Sequence, residues 1–284
     1  MKTKQVLSDS FAREQRMRYA EDFPKLSRSE RESRKQLGVA NQQLIRSADD
    51  INMTISELRD ANEKLQNSFL DTIHRLALAA EYKEEETGNH IMRMSRYSAL
   101  IAEKLCLSKK EVQNILYASP LHDLGKIGIP DSILLKPGKL TDEEFTIMKT
   151  HTIIGANILA YSKAEVLQVA EQIAIFHHEK WNGSGYPQGL SREKIPMVGR
   201  IVGLADVFDV LTSKRPYKEP YPIEVAVDII EKEQGQSFDP NIGDTFLECV
   251  DEIVAIKEEV DKTEVVRAAD FTYSERDLIK HIYE

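Results

Sequence analysis

A seven-residue repeat near the N-terminus constrains this chain more than any other feature. Leu37, Leu44, Ile51, Leu58 and Leu65 recur at that spacing, and Ala48, Ile55, Asn62 and Phe69 stand four residues after the last four of them. A sustained heptad keeps one apolar seam along a helix, and that seam asks for a second helix to cover it. Leu at one seam position with a polar Asn62 at the other favours a parallel two-stranded coiled coil, so the repeat predicts a homodimer through the N-terminal helices. The competing reading is one amphipathic helix lying on its own domain. Residues 1 to about 35 are highly charged, with few large apolar side chains, and read as frayed or solvated helix.

Past Phe69 the pattern becomes that of a globular helical domain. Strand signals are scarce, and apolar residues recur at helical spacing between breakers. Residues 68–107 read as one or two helices interrupted near Thr87-Gly88. A helix starting from the Ser108 cap ends at the breakers between Gly125 and Pro130. Thr141 and Glu144 form a capping box for a helix over 141–162. Further helices are predicted over 164–180, 197–213, 220–233 and 241–257, with one more within 261–284. The fold class is all-α, with a helical coiled-coil segment over 1–70 and a domain over 71–284.

With 284 residues, 41% of them hydrophobic, the chain can bury a substantial core. A net charge of −9 argues against non-specific nucleic-acid binding but leaves room for a local basic pocket. No apolar stretch is long enough for a membrane span, and the N-terminus lacks the apolar core of a secretory signal. The expected setting is the cytoplasm. Cys106 and Cys249 sit among apolar helical neighbours and read as buried free thiols.

The chemistry is concentrated in histidines and carboxylates. His90, His122, His151, His177 and His178, five of the seven histidines, fall near the inner faces or ends of predicted helices. Asp123 follows His122 directly, Asp206 lies inside an apolar helix, and Glu86 stands four residues before His90. Any one histidine alone would be an ordinary core or surface residue, as His74 and His281 are taken to be. An aspartate in an apolar helix is harder to explain, because an unpaired buried carboxylate costs several kcal/mol. Imidazoles and carboxylates on facing helices are a common way to build a multi-metal centre, for which zinc, iron and manganese are all suitable. No cysteine accompanies the set, which argues against structural zinc or an iron–sulfur cluster.

The motifs resemble those of a known family. "LHDLGKIGIPDSIL" carries the His-Asp doublet of the HD phosphohydrolases, and "HHEKWNGSGYPQGL" carries the Gly-Tyr-Pro of their HD-GYP subgroup. "ADVFDVLTSKRPYK" and the "FDP" at Phe238 to Pro240 resemble the subgroup's later blocks, so the likeness covers roughly residues 70–250. It implies a metal-dependent phosphodiesterase of bacterial signal transduction that degrades cyclic di-GMP to pGpG. His90, His122, Asp123, His151, His177, His178 and Asp206 match the family's metal-ligand positions. Asp123 would bridge two cations, and a metal-activated hydroxide would attack the phosphodiester. Lys126 matches the lysine near the scissile phosphate, Arg215 and Lys218 fall where phosphates are met, and Tyr186 lies in the signature loop. Tyr186 and Trp181 offer faces for guanine, with a packed loop anchor as the other reading of Trp181.

This chain departs from the resemblance at one position. Glu86 stands where many members have tyrosine, and a carboxylate four residues before a ligating histidine suits a third cation. The expectation is therefore two or three transition-metal ions, iron or alternatively manganese, with pGpG cleaved on to GMP. The heptad segment resembles a helix that joins a sensor to an output domain, which implies an upstream sensor domain or protein. The other functions weighed are hydrolysis of a different cyclic dinucleotide such as cyclic GMP-AMP, di-iron oxygenase chemistry, and a non-catalytic cyclic di-GMP receptor.

Overall fold

A computed structural model describes residues 2–84, 88–214 and 219–262. Eleven α-helices occur among them: α1 (Lys2–Glu81), α2 (Gly88–Lys104), α3 (Lys109–Ala118), α4 (Asp131–Leu134), α5 (Asp142–Met148), α6 (His151–Leu159), α7 (Glu165–Phe176), α8 (Met197–Thr212), α9 (Ile223–Lys232), α10 (Pro240–Glu248) and α11 (Val250–Lys262). No strand occurs among the described residues, only an isolated bridge between Gln234 and Phe238. The all-α expectation holds. The expected helix within 261–284 lies, beyond Lys262, outside the described residues.

The chain falls into two compact units, Met1–Gln66 and Asn67–Glu284. In the first, the seam residues Leu37, Leu44, Ile51, Leu58 and Leu65 are 59–69% exposed. This segment is helix throughout, past the internal Pro24. No helix among the described residues is long and apolar enough to cross a membrane.

The second unit is organised around α2 and α8. Ile91, Met94, Tyr97 and Ile101 recur every three or four residues along α2 and are wholly buried, as are Ile201, Leu204, Ala205 and Phe208 on α8. That spacing gives each helix one apolar stripe, and each large side chain removed from water stabilises the fold by about 1.5–3 kcal/mol. α2 packs against α3, α8 and α11, while α7 packs against α3, α6 and α8. Both expected caps form. Ser108 and Thr141 accept from the backbone N–H groups of Glu111 and Glu144, whose carboxylates accept in return.

Three helices predicted as continuous are broken, and two of the breaks matter for function. The helix expected from Ser108 to the breakers at Gly125 ends at Ala118 and gives way to two 3₁₀ segments. The 141–162 stretch divides into α5 and α6. At the break the Thr150 hydroxyl donates to the Ile147 carbonyl at 2.6 Å and competes with the helical ladder. His151 thereby becomes the first residue of α6. The 241–257 stretch divides at Cys249 into α10 and α11. Phe238-Asp239-Pro240 serves this end of the domain, since Asp239 caps α10 and pairs with Arg200. Cys106 corrects the sequence reading, being exposed rather than buried. It follows the end of α2 with φ 60°, the left-handed conformation that closes a helix and turns the side chain away from the core. Cys249 is buried as expected.

Candidate metal centre

His122 and Asp123 sit in the turn between a one-turn 3₁₀ segment, Ser119–Leu121, and a second, Leu124–Gly128. The second segment packs on α6 at a distance only glycine permits. A Cβ on Gly125 would lie 1.9 Å from the His151 carbonyl oxygen and 2.4 Å from the Gly155 nitrogen. This contact brings Asp123 to His151. Asp123 Oδ1 is 3.2 Å from His151 Nε2 and 3.6 Å from His177 Nε2, and Oδ2 is 3.2 Å from His122 Nε2. Asp123, His151, His177 and His178 each offer one ligand atom within 4.8 Å of the others, and so do Glu81, His90 and His122.

The ring orientations set these groups apart from ordinary core histidines. Nδ1 of His122 faces the Ser119 carbonyl at 3.1 Å, Nδ1 of His151 faces that of Met148 at 2.8 Å, and Nδ1 of His177 faces that of Ile173 at 3.0 Å. A carbonyl only accepts, so each Nδ1 carries a proton and each Nε2 is turned inward. All three Nε2 atoms, with Asp123 Oδ1, are buried without a hydrogen-bond partner. Nitrogens from three imidazoles and a carboxylate, converging in a buried place, repel one another unless cations or protons lie among them. The residues fit a metal centre on that ground, and a hydrogen bond to Nδ1 is the usual support for a metal-ligating imidazole.

His90 is held differently. Its Nδ1 meets Asp209 Oδ2 at 2.8 Å, while Nε2 lies 3.6 Å from Asp206 Oδ1. Asp209 also accepts from Arg93 at 2.6 and 2.9 Å. Burial opposes a charge on His90, but the Asp209 carboxylate outweighs it and raises the group to about 10. Burial likewise opposes a charge on His122, which Asp123 lifts to about 8. Although burial works against ionised Asp123, Lys126 and His122 hold its carboxyl well below the usual range. His178 is pushed well below the ordinary histidine value by burial and by neighbouring His177.

The signature loop closes over this cluster. Tyr186 lies 4.7 Å from the His178 ring and 6.4 Å from that of His151, centre to centre. Its backbone N–H donates to the His178 carbonyl at 3.2 Å. A Cβ on Gly185 would meet the Lys180 nitrogen at 2.3 Å, so this tight return requires glycine. Glu179 holds the loop from below, accepting from the backbone N–H groups of Gln188, Gly189 and Leu190 at 2.7–3.1 Å. Lys126 Nζ lies 2.8 Å from Asp123 Oδ2. Trp181 sits under the Arg200 guanidinium, 5.8 Å from its ring centre, and lines a cavity of about 350 Å³ with Glu233 and Phe238. The Arg200 contact fits the loop-anchor reading, while His177 and His178 line the same cavity.

His90, His122, Asp123, Lys126, His151, His177, His178, Tyr186 and Asp206 are thus all brought to one place. Glu86, Arg215, Lys218 and His281 lie outside the described residues. His74 stands apart as a buried core histidine, lowered by burial to about 4. The sequence reading missed Glu81, Glu179 and Asp209. Asp209 could have been found by the argument applied to Asp206, since both lie in the apolar "LADVFDVL". Glu81 continues the buried stripe of Ile73 and Ala77 at four-residue spacing, an equally unusual place for a carboxylate.

Comparison with known proteins accounts for this arrangement. Residues 74–242 match the model of the HD domain. This chain belongs to the HD domain family. The resemblance carried by His122-Asp123 is thereby confirmed. Among curated relatives, the HD domain is similar to a cyclic di-GMP phosphodiesterase of Thermotoga maritima, 46% identical over 191 residues that make up 67% of this chain and 52% of that protein. A 3'3'-cGAMP-specific phosphodiesterase 2 of Vibrio cholerae is 43% identical, the match covering 74% of this chain and 38% of that one. The chain spans about half the length of the first of these. A crystal structure of a cyclic GMP-AMP specific phosphodiesterase of Vibrio cholerae superposes with a TM-score of 0.51 at 20% identity, covering 75% of this chain and 57% of that one. That likeness supports the shared helical fold.

Proposed function

We propose that the chain is a metal-dependent phosphodiesterase that opens cyclic di-GMP to pGpG and carries the product on to GMP. The observation that carries the reading is the convergence of buried, unpartnered Nε2 atoms from His122, His151 and His177 on Asp123. Relatives named as cyclic di-GMP phosphodiesterases, 46% and 49% identical to this chain, support the choice of substrate. Two or three transition-metal ions, iron or alternatively manganese, are the proposed cofactors. When bound, they supply Lewis acidity toward phosphate oxygens and an activated water at neutral pH.

The chain's own residues do the rest. Asp123 turns one oxygen toward His122 and the other toward His151 and His177, which suits a bridging carboxylate. Asp206, close to His90, completes the proposed ligand set with His178. Lys126 holds a cation beside Asp123, where it would offset charge developing on the phosphate without changing its own protonation. Arg215 and Lys218 are proposed to meet the ligand's other phosphate, and Tyr186 to bound the space above His178. The uncovered seam of α1 supports pairing with a second copy, and the segment is proposed to transmit the state of a sensor.

Elemental analysis of anaerobically purified protein, combined with chromatography of its digests of cyclic di-GMP and 3'3'-cGAMP, tests the reading. Two or three metal ions per chain with pGpG and GMP appearing is the expected result. Full metal occupancy with cyclic di-GMP left intact would overturn it, and cleavage of 3'3'-cGAMP alone would move the specificity to that dinucleotide.

A further inference from the structure

Glu81 is the last residue of α1, and its side chain enters the buried face of the domain with Ile73 and Ala77 rather than solvent. Only 4% of the residue is exposed. Its Oε2 is buried and has no hydrogen-bond partner, and a carboxylate oxygen of Glu81 lies within 4.8 Å of a ring nitrogen of both His90 and His122. A carboxylate buried there needs positive charge beside it, and the groups that face it are His90, His122 and Lys126.

The geometry points to Glu81 as a metal ligand, completing with His90 and His122 one end of the proposed centre. This inference rests on the metal-centre reading above and assigns to Glu81 the carboxylate role that the sequence suggested for Glu86. The three groups are a coherent donor set. Asp209 occupies His90 Nδ1 and Ser119 occupies His122 Nδ1, so both rings keep Nε2 for the cation. Each ring gives up its Nε2 proton when a cation binds, and a carboxylate then supplies the negative charge that two imidazoles lack. Glu81 reaches this set from a different helix than either histidine, which fixes the ion between α1, α2 and the His122 turn.

The test compares the wild type with Glu81→Gln and Glu86→Gln, each stripped of metal, reconstituted anaerobically with Fe²⁺ or Mn²⁺ and desalted. Metal per chain and the melting temperature with and without metal are measured. For Glu81→Gln the count should fall by about one ion, because an amide is a poor substitute for an ionised ligand. The rise in melting temperature on adding metal should be smaller than for the wild type, because one fewer ion binds the folded protein. A structural glutamate would leave both the count and that rise unchanged. An unchanged count, or a lower count with an undiminished rise or with loss of folding, would overturn the assignment. So would a one-ion loss confined to Glu86→Gln. A wild type that retains no metal would overturn the metal-centre reading itself, and this outcome is distinct from one in which only the Glu81 assignment fails.

Discussion

His122, His151 and His177 are oriented by carbonyls three or four residues earlier in their own segments, whereas His90 is oriented by a carboxylate 119 positions away on α8. The first arrangement follows from local helical geometry. At a helix end, a histidine ring can reach back to a carbonyl of the preceding turn without help from the rest of the fold. The second exists only once α2 and α8 have packed. It also consumes more of the protein, because Asp209 must satisfy Arg93 as well as His90. One side of the centre is therefore prepared by secondary structure, and the other by tertiary contact between charged groups in the core.

Asp123, on which the rings of His122, His151 and His177 converge, should be the most sensitive position. Asp123→Ala is expected to lower phosphodiesterase turnover by on the order of 10³ and to deplete metal. Turnover within a few-fold of wild type would show that the reaction does not depend on that convergence. Asp209→Asn should separate them. Metal affinity should fall about 10–100-fold through loss of the His90 support. Unfolding of the metal-free protein should become easier by about 3 kcal/mol, since Arg93 loses its buried partner. Calorimetric titration with Mn²⁺ and denaturant melts check both effects. Met148→Leu should by contrast leave stability within about 0.5 kcal/mol and metal binding intact, because only its backbone carbonyl supports His151.

Histidine titration offers a third comparison. His74 is buried in the core away from the converging set and stays neutral to about 4. The unfolded chain therefore binds the extra proton first, and stability is lost as pH falls from about 6.5 toward 4. The loss attributable to this residue should approach about 2 kcal/mol in acid melts, and His74→Leu should flatten that part of the profile. Glu179→Gln should act on the loop alone. Weakening its three backbone contacts is expected to cost about 1–2 kcal/mol and to raise KM while metal content stays constant. A parallel fall in metal content would mean that the loop and the ligands are coupled. The smallest effect on the centre belongs to Leu58→Lys combined with Leu65→Lys. Sedimentation should then report monomer, with metal content unchanged. An intact dimer would put the interface elsewhere.

Much of this protein was legible before any coordinates. The helical class, the caps at Ser108 and Thr141 and the heptad seam all follow from spacing, because they depend on residues one to seven positions apart. The family resemblance drew on the same short blocks. Tertiary structure decided the rest. It broke the 141–162 helix so that His151 begins α6, and it turned Cys106 outward at the end of α2. It gave Asp209, 119 positions from His90, the task of orienting that ring, and it brought Glu81 beside His90 and His122. The physical reason is the price of a buried charge. Periodicity tells which positions face the core, but whether a carboxylate placed there has a partner depends on what the other helices bring to it.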